Sequence, residues 1–181
     1  MAFATSGATG VVGGRVAARL AEAGVGQRLI VRDGSRAPEL AGSEVAEASY
    51  ADSATLEEAL AGARVFFMVS GAEDRDRLRQ HKAAVDAAVG AGVERIVYLS
   101  YVAAAPDSTF TFGRDHYYTE QHTRATGLGF TFLRDNWYQD MLPAMTGADG
   151  VVRGPAGRGL RRGGLARRRG GRGRRGPARG R

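Results

Sequence analysis

The sequence predicts a doubly wound α/β domain, a parallel sheet with helices on both of its faces. Three observations lead to that fold class. Short apolar runs alternate with amphipathic stretches at the pitch of βαβ units. Some of those runs, Leu29-Ile30-Val31 and Val65-Phe66-Phe67-Met68-Val69 among them, are continuously apolar, as strands buried on both faces are. Gly7, Gly10 and Gly13 stand three apart, directly after the first run and before the first amphipathic stretch.

The first strand is Phe3-Ala4-Thr5-Ser6. The turn that follows, Gly7-Ala8-Thr9-Gly10-Val11-Val12-Gly13-Gly14, must carry a parallel strand into a helix while an anion rests against it. Gly7 takes the tight backbone geometry, Gly10 leaves room for a pyrophosphate, and Gly13 lets the helix pack close to the strand. The helix N-terminus adds free N–H groups and the positive end of the helix dipole. Glycine makes up 27 of the 181 residues, so the spacing alone carries little; its place between a strand and a helix carries the dinucleotide reading.

In the first helix Val16, Ala17, Leu20 and Ala21 form one apolar face, with Arg15, Arg19 and Glu22 outside, and Gly24 and Gly26 end it. Leu29–Val31 is the second strand and runs out into Arg32-Asp33-Gly34. Val45-Ala46-Glu47-Ala48 is a weaker third strand, after which Asp52 or Ser53 caps a short helix carrying Leu56, Ala59 and Leu60. The fourth strand, Val65–Val69, ends at Ser70-Gly71. A helix from about 74 to 91 then places Leu78, Val85 and Val89 on one face. Ile96–Leu99 is the fifth strand, ending at Ser100; a helix over about 115–125 leads to the sixth, Phe130–Leu133. Six such strands give the order 3-2-1-4-5-6, and right-handed crossovers bring Gly7–Gly13, Ser70–Gly71 and Ser100 to one crevice.

Composition narrows the function. The chain has no cysteine, which excludes disulfides, thiolate metal sites and a cysteine nucleophile. His81, His116 and His122 show no metal-ligand spacing with nearby acids. No apolar run has the length of a membrane span and no leader-like segment opens the chain, so a cytoplasmic protein is expected. The net charge of +7 divides unevenly. Residues 1–152 hold 14 basic and 19 acidic side chains, a net −5, whereas 153–181 hold 12 arginines and no acid. Two parts follow: a nucleotide-binding domain over 1–152 and an Arg/Gly-rich tail over 153–181.

The residue that reads the ribose lies about 20 positions beyond the glycines, at the end of the second strand. An acid there accepts from a ribose 2′-hydroxyl and selects NAD; an arginine pairs with the 2′-phosphate of NADP. Arg32 is the first residue to leave the sheet and Arg36 reinforces it, which favours NADP. The alternative is an exposed arginine beside a turn-forming Asp33-Gly34.

Taken together, the glycine turn, Arg32, Ala48-Ser49-Tyr50-Ala51-Asp52, Gly92-Val93-Glu94-Arg95-Ile96-Val97-Tyr98, Asp115-His116 with Glu120, and Thr131-Phe132-Leu133-Arg134-Asp135-Asn136-Trp137-Tyr138 resemble one family. It is the NmrA-like branch of the atypical short-chain dehydrogenase/reductases, and within it the NADPH-dependent quinone oxidoreductases. The resemblance runs from residue 1 to about 157. It implies that Gly7, Thr9, Gly10, Val11, Val12 and Gly13 lie along the pyrophosphate and that Arg32 meets the 2′-phosphate. Tyr50, Ser70 and Gly71 would line the rest of the cofactor. Ser49 departs from the aspartate that such relatives usually carry near the adenine.

Catalysis departs further. Short-chain dehydrogenases use a Tyr-x-x-x-Lys pair with a serine, the lysine lowering the tyrosine pKa for proton transfer. Ser100 is placed for the serine, but Tyr117 is followed four residues on by Gln121, and Tyr118 by His122. Tyr118 and His122, one helical turn apart, are the candidate surrogate, against the alternative of two amphipathic residues on a half-exposed helix. Quinone reduction asks less, because the hydride chemistry belongs to the cofactor and orientation is what the protein must supply. Tyr101, Phe110, Phe112, Trp137 and Tyr138 follow strands five and six and are candidates to stack on a planar acceptor, or simply to fill the core of a lid.

From Arg153 the only residue types are Arg, Gly, Pro, Ala and Leu, and no hydrophobic period survives, so disorder is expected. An arginine arm gripping phosphates is one reading, although it lacks aromatics to stack on bases. The other is a frameshift, because all five amino acids have GC-rich codons and the resemblance stops at about Arg158. The substrate side would then lack its C-terminal lobe and turn over poorly. The expected function is NADPH-dependent reduction of a quinone or similar small carbonyl compound. The alternatives are a non-catalytic dinucleotide sensor and non-specific nucleic-acid binding through the tail.

Overall fold

The structure is a computed structural model that describes residues 2–139, 143, 145–152 and 160–161. Two compact units divide the chain, residues 1–136 and 137–181. The first contains a six-stranded sheet: β1 (Phe3–Ser6), β2 (Gln27–Val31), β3 (Ser43–Glu47), β4 (Val65–Met68), β5 (Arg95–Tyr101) and β6 (Gly129–Asp135). Its order is β3-β2-β1-β4-β5-β6 and every pairing is parallel, so the doubly wound fold is as the apolar runs predict. Phe3 lies beside Gln27 on one side and Val65 on the other. β1 is therefore the strand at which the winding reverses, and a crevice opens beyond its C-terminal end.

The helices are α1 (Val11–Glu22), α2 (Ser53–Leu60), α3 (Arg77–Gly90) and α4 (Thr111–Ala125), with a short 3-10 turn over Gly34–Arg36. Alternate strand residues feed two cores. On one face Ile30, Phe66, Met68, Ile96 and Tyr98 pack with Leu56 and Leu60 of α2 and with Ala84, Val85 and Ala88 of α3. On the other, Leu29 and Val31 pack with Ala17 of α1. Asp52 caps α2, its carboxylate accepting from the Thr55 N–H at 3.2 Å.

Two helices differ from their apolar patterns. α1 buries only Gly13 and Ala17 fully, while Val16, Leu20 and Ala21 are half-buried. A stripe of such small residues lets the helix axis approach the sheet closely. Val89, expected on the inner face of α3, is 43% exposed, and the buried face runs through Arg77, His81, Ala84, Val85 and Ala88. A fully buried arginine and histidine on that stripe carry no apolar signal, so the pattern of Leu78, Val85 and Val89 mis-set the face. β3 is an edge strand with Val45 exposed, which accounts for its weak signature.

In the second unit Val151–Val152 pairs antiparallel with Leu160–Arg161. The remainder of the Arg/Gly-rich stretch, 153–159 and 162–181, lies outside the described residues. Among the described residues no helix is long and apolar enough to cross a membrane.

Candidate cofactor site

A cleft of about 400 Å³ opens over the C-terminal ends of β1, β2 and β4 and the loop after β3. It gathers Gly7, Thr9, Arg32, Tyr50, Ser70 and Gly71, six of the residues singled out for cofactor binding, and adds Ser49, Gln80 and the acids Glu73 and Asp74. Gly10, Val11, Val12 and Gly13 continue from Thr9 into the first turn of α1.

The backbone of this turn needs its glycines. Gly7 has φ of +66°, a conformation that L side chains rarely adopt. A Cβ on Gly13 would run into the Gly7 carbonyl and come within 2.8 Å of the Ser6 carbonyl oxygen, both backbone atoms that cannot swing away. Gly10 is the N-cap of α1, so no side chain satisfies the first turn's N–H groups, and no acid occupies that turn. An uncapped N-terminus of this kind is complementary to an anion.

Arg32 and Asp33 part company as they leave β2. The Asp33 carboxylate accepts from the Ser35 hydroxyl at 2.6 Å and from the Ser35 N–H at 3.0 Å, capping the 3-10 turn. Those two bonds hold its carboxyl below the usual range, with the Arg36 charge helping. Arg36 is exposed at the end of that turn, whereas Arg32 is exposed on the wall of the cleft. The turn is fixed from β3 as well, where Glu47 accepts from the Gly34 N–H at 2.7 Å.

Tyr50 ties the far wall together. Its hydroxyl donates to the Val69 carbonyl at 2.8 Å and lies 2.6 Å from the Ser6 hydroxyl oxygen, which in turn accepts from the Val69 N–H at 2.9 Å. Burial pushes the Tyr50 phenol well above its usual pKa. Tyr50 is thus a strut joining the ends of β1, β3 and β4, and it stays protonated.

The three catalytic candidates are not brought together. Ser100 is buried on β5 and donates to Glu120 Oε1 at 2.6 Å; Glu120 is fully buried and held bidentately by Arg134 at 2.9 and 2.6 Å. Tyr118 and His122 lie on the outward side of α4, away from the buried stripe of His116, Thr119, Glu120 and Thr123. His122 Nε2 is 2.6 Å from Asp86 Oδ1, and Tyr118 packs edge-on against Tyr117. The reason is physical: α4 turns its polar stripe inward because Glu120 has Arg134 and Ser100 to meet, which sends positions 118 and 122 outward.

A second polar group, whose members the sequence pattern does not bring together, lies under the cleft. Arg77, 2% exposed, donates from Nε to the Gly71 carbonyl at 2.9 Å, pairs with Asp115 at 3.3 Å and reaches His116 Nε2 at 3.0 Å. His81 Nε2 accepts from the Gly71 N–H at 2.8 Å, and Tyr98 lies between His81 and His116 at 3.2 and 2.8 Å. Burial, with the Arg77 charge adding to it, lowers His81 to about 2 and His116 to about 3, so both rings are neutral at physiological pH. The signal available in the sequence was their helical spacing, since Arg77 and His81 are one turn apart on a face that continues through Ala84, Val85 and Ala88. Among the described residues no cluster of three acids or histidines is arranged to hold a metal ion.

A sequence model of the NAD(P)H-binding family matches residues 7–167. The chain belongs to that family. Among its relatives, quinone oxidoreductase 2 of Escherichia coli is 34% identical over 130 residues, 70% of this chain and 45% of that protein. An NAD(P)H azoreductase of Xenophilus azovorans is 32% identical over 126 residues, 68% of this chain and 44% of that one. Of solved structures, the Citrobacter sp. triphenylmethane reductase complexed with NADP(H) superposes with a TM-score of 0.71 at 33% identity, covering 81% of this chain and 55% of that chain. The chain spans about half the length of these relatives. The cradle fits a member of such a family: a carbon at Gly13 would fill the close approach of helix to turn, and the uncapped α1 N-terminus follows it directly.

Proposed function

We propose that the chain is the nucleotide-binding part of a cytoplasmic, NADPH-dependent reductase of quinones or similar planar carbonyl acceptors. One observation carries NADPH over NADH. Asp33, the acid that would select a ribose 2′-hydroxyl, spends its carboxylate on Ser35, while Arg32 lines the cleft with no side-chain partner among the described residues.

In this reading the N–H groups of Val11, Val12 and Gly13 face the pyrophosphate, Gly7 and Gly10 keep the backbone clear of it, and Thr9 adds a hydroxyl. Arg32 holds the 2′-phosphate and Arg36 adds charge nearby. Ser70 and Gly71 line the opposite side, with Tyr50 beneath. The bound cofactor supplies a hydride, and that chemistry is its own. What the chain supplies is a fixed cradle that orients the reacting ring. Once the quinone has accepted the hydride, the single proton that completes the hydroquinone comes from solvent, so no Tyr/Lys pair is required. Tyr101 at the end of β5 and Phe110 and Phe112 after it form an aromatic group, with ring centroids 5.7 and 5.0 Å apart in succession, and Tyr101 and Phe110 are suited to stacking on a planar acceptor. Trp137 and Tyr138 belong to the second unit. The name of the quinone-reducing relative supports the same acceptor class.

A second reading, a dinucleotide sensor without turnover, draws on the commitment of Ser100 to Glu120 and the outward placement of Tyr118 and His122. One assay separates the two. With a benzoquinone present, the reductase reading expects steady, quinone-dependent loss of NADPH absorbance that scales with protein. Saturable NADPH binding without any such loss favours the sensor.

A further inference from the structure

The Gly71 peptide is held from both sides by residues of one helix face. Its N–H donates to His81 Nε2 at 2.8 Å and its carbonyl accepts from Arg77 Nε at 2.9 Å. β4 ends at Met68, so Gly71 has left the ladder and its backbone groups need other partners. We propose that Arg77 and His81 are positioning residues for the dinucleotide, clamping the Gly71 peptide so that Ser70 and Gly71 form a fixed wall of the cleft. This rests on the reading that the cleft holds the dinucleotide.

Packing alone does not explain the two side chains. Both are fully or almost fully buried, and their neighbours on the same face of α3 are Ala84, Val85 and Ala88. Burying a guanidinium is costly unless each donor is used, and an apolar residue would fill the space without that cost. Here Nε serves Gly71, one terminal nitrogen serves Asp115, and the other serves His116, while Phe112 lies 4.6 Å under the guanidinium.

The proton positions are fixed by the same bonds. Arginine only donates, so His116 accepts at Nε2 and carries its proton on Nδ1, toward the Tyr98 oxygen at 2.8 Å. Gly71 donates to His81 Nε2, so His81 also carries its proton on Nδ1, facing Tyr98 at 3.2 Å and Thr119 at 3.3 Å. The clamp is thereby anchored to β5 and α4 rather than to α3 alone. A neutral imidazole is required, because a protonated His81 could not accept from Gly71.

The wall and the Arg32 end are separable. β1 lies between β2 and β4, so the two ends stand two strand spacings, roughly 10 Å, apart. Adenosine 2′,5′-bisphosphate presents the adenosine end of NADPH, with the 2′-phosphate that would meet Arg32, and lacks the nicotinamide riboside. The test measures binding of NADPH and of this fragment to wild-type protein, His81→Leu, His81→Asn and His81→Gln, with circular dichroism to confirm folding. Glutamine offers an acceptor oxygen at the reach of Nε2; asparagine keeps the polarity but falls one methylene short, and serves where the leucine variant does not fold. The expected result is a loss of about tenfold in NADPH affinity for Leu and Asn, recovery with Gln, and fragment affinity unchanged throughout. Unchanged NADPH affinity in a folded Leu or Asn variant overturns the clamp, as does an equal loss for NADPH and the fragment, which is what general loosening would give. If wild-type protein binds neither ligand, the cleft reading itself fails and takes the clamp with it.

Discussion

Gly13→Ala is expected to displace α1 from β1 and to abolish tight NADPH binding in one step. The added carbon would meet the Gly7 carbonyl, with the Ser6 carbonyl oxygen 2.8 Å away, and all of these atoms are main chain. Relief must come from moving the helix, and overpacking of this kind costs about 1–3 kcal/mol. The same shift carries the free N–H groups of Val11 and Val12 off their aim, so affinity suffers beyond stability. Thermal unfolding and NADPH titration, run together, check this. Gly24→Ala serves as the contrast: its φ of +70° strains the backbone, but a Cβ there meets nothing within 4 Å, so stability falls while cofactor affinity holds.

Removing Arg134 is expected to have the largest effect on stability. Glu120 is fully buried while the Arg134 side chain is 43% exposed, and Arg134→Met leaves the carboxylate with only the Ser100 hydroxyl, a loss of about 3 kcal/mol. In a domain of this size that lowers the melting temperature by roughly 10 °C. The double variant Arg134→Met with Glu120→Leu removes the stranded charge and is expected to recover most of the loss, because an apolar pair is tolerated where a lone carboxylate is not. Denaturant melts of the single and double variants read this directly. A double variant less stable than Arg134→Met would show that the pair does more than neutralise itself.

The sheet was legible because β2, β4 and β5 carry continuous apolar runs and the glycine turn marks where the first strand ends. That suffices to order six strands, and β1 to β6 follow it, with β5 and β6 each extending beyond their apolar cores to Tyr101 and Asp135. Helix faces were less legible. α3 and α4 bury Arg77, His81, His116 and Glu120, and a polar residue on an inner stripe is indistinguishable from one facing water until its partner is known. Those partners lie outside the helix that carries the residue: Gly71 binds both Arg77 and His81, Tyr98 meets His116, and Arg134 meets Glu120. Ser100 shows the same limit. Its place at a strand end is readable, but not the carboxylate that claims its hydroxyl. At Arg32-Asp33 the dipeptide favoured NADP against an exposed arginine beside a turn; the Asp33–Ser35 bonds form that turn and occupy the acid, while Arg32 stays on the cleft wall.

The central claim is that Arg32 reads a 2′-phosphate in the cleft at the end of β2, and paired titrations of NADPH and NADH test it most directly. Wild-type protein is expected to bind NADPH at least about tenfold more tightly than NADH, the scale of a charge-assisted contact to phosphate. Arg32→Ala should erase that preference by weakening NADPH alone. Equal affinities for the two cofactors in the wild type, left unchanged by the substitution, would contradict the account.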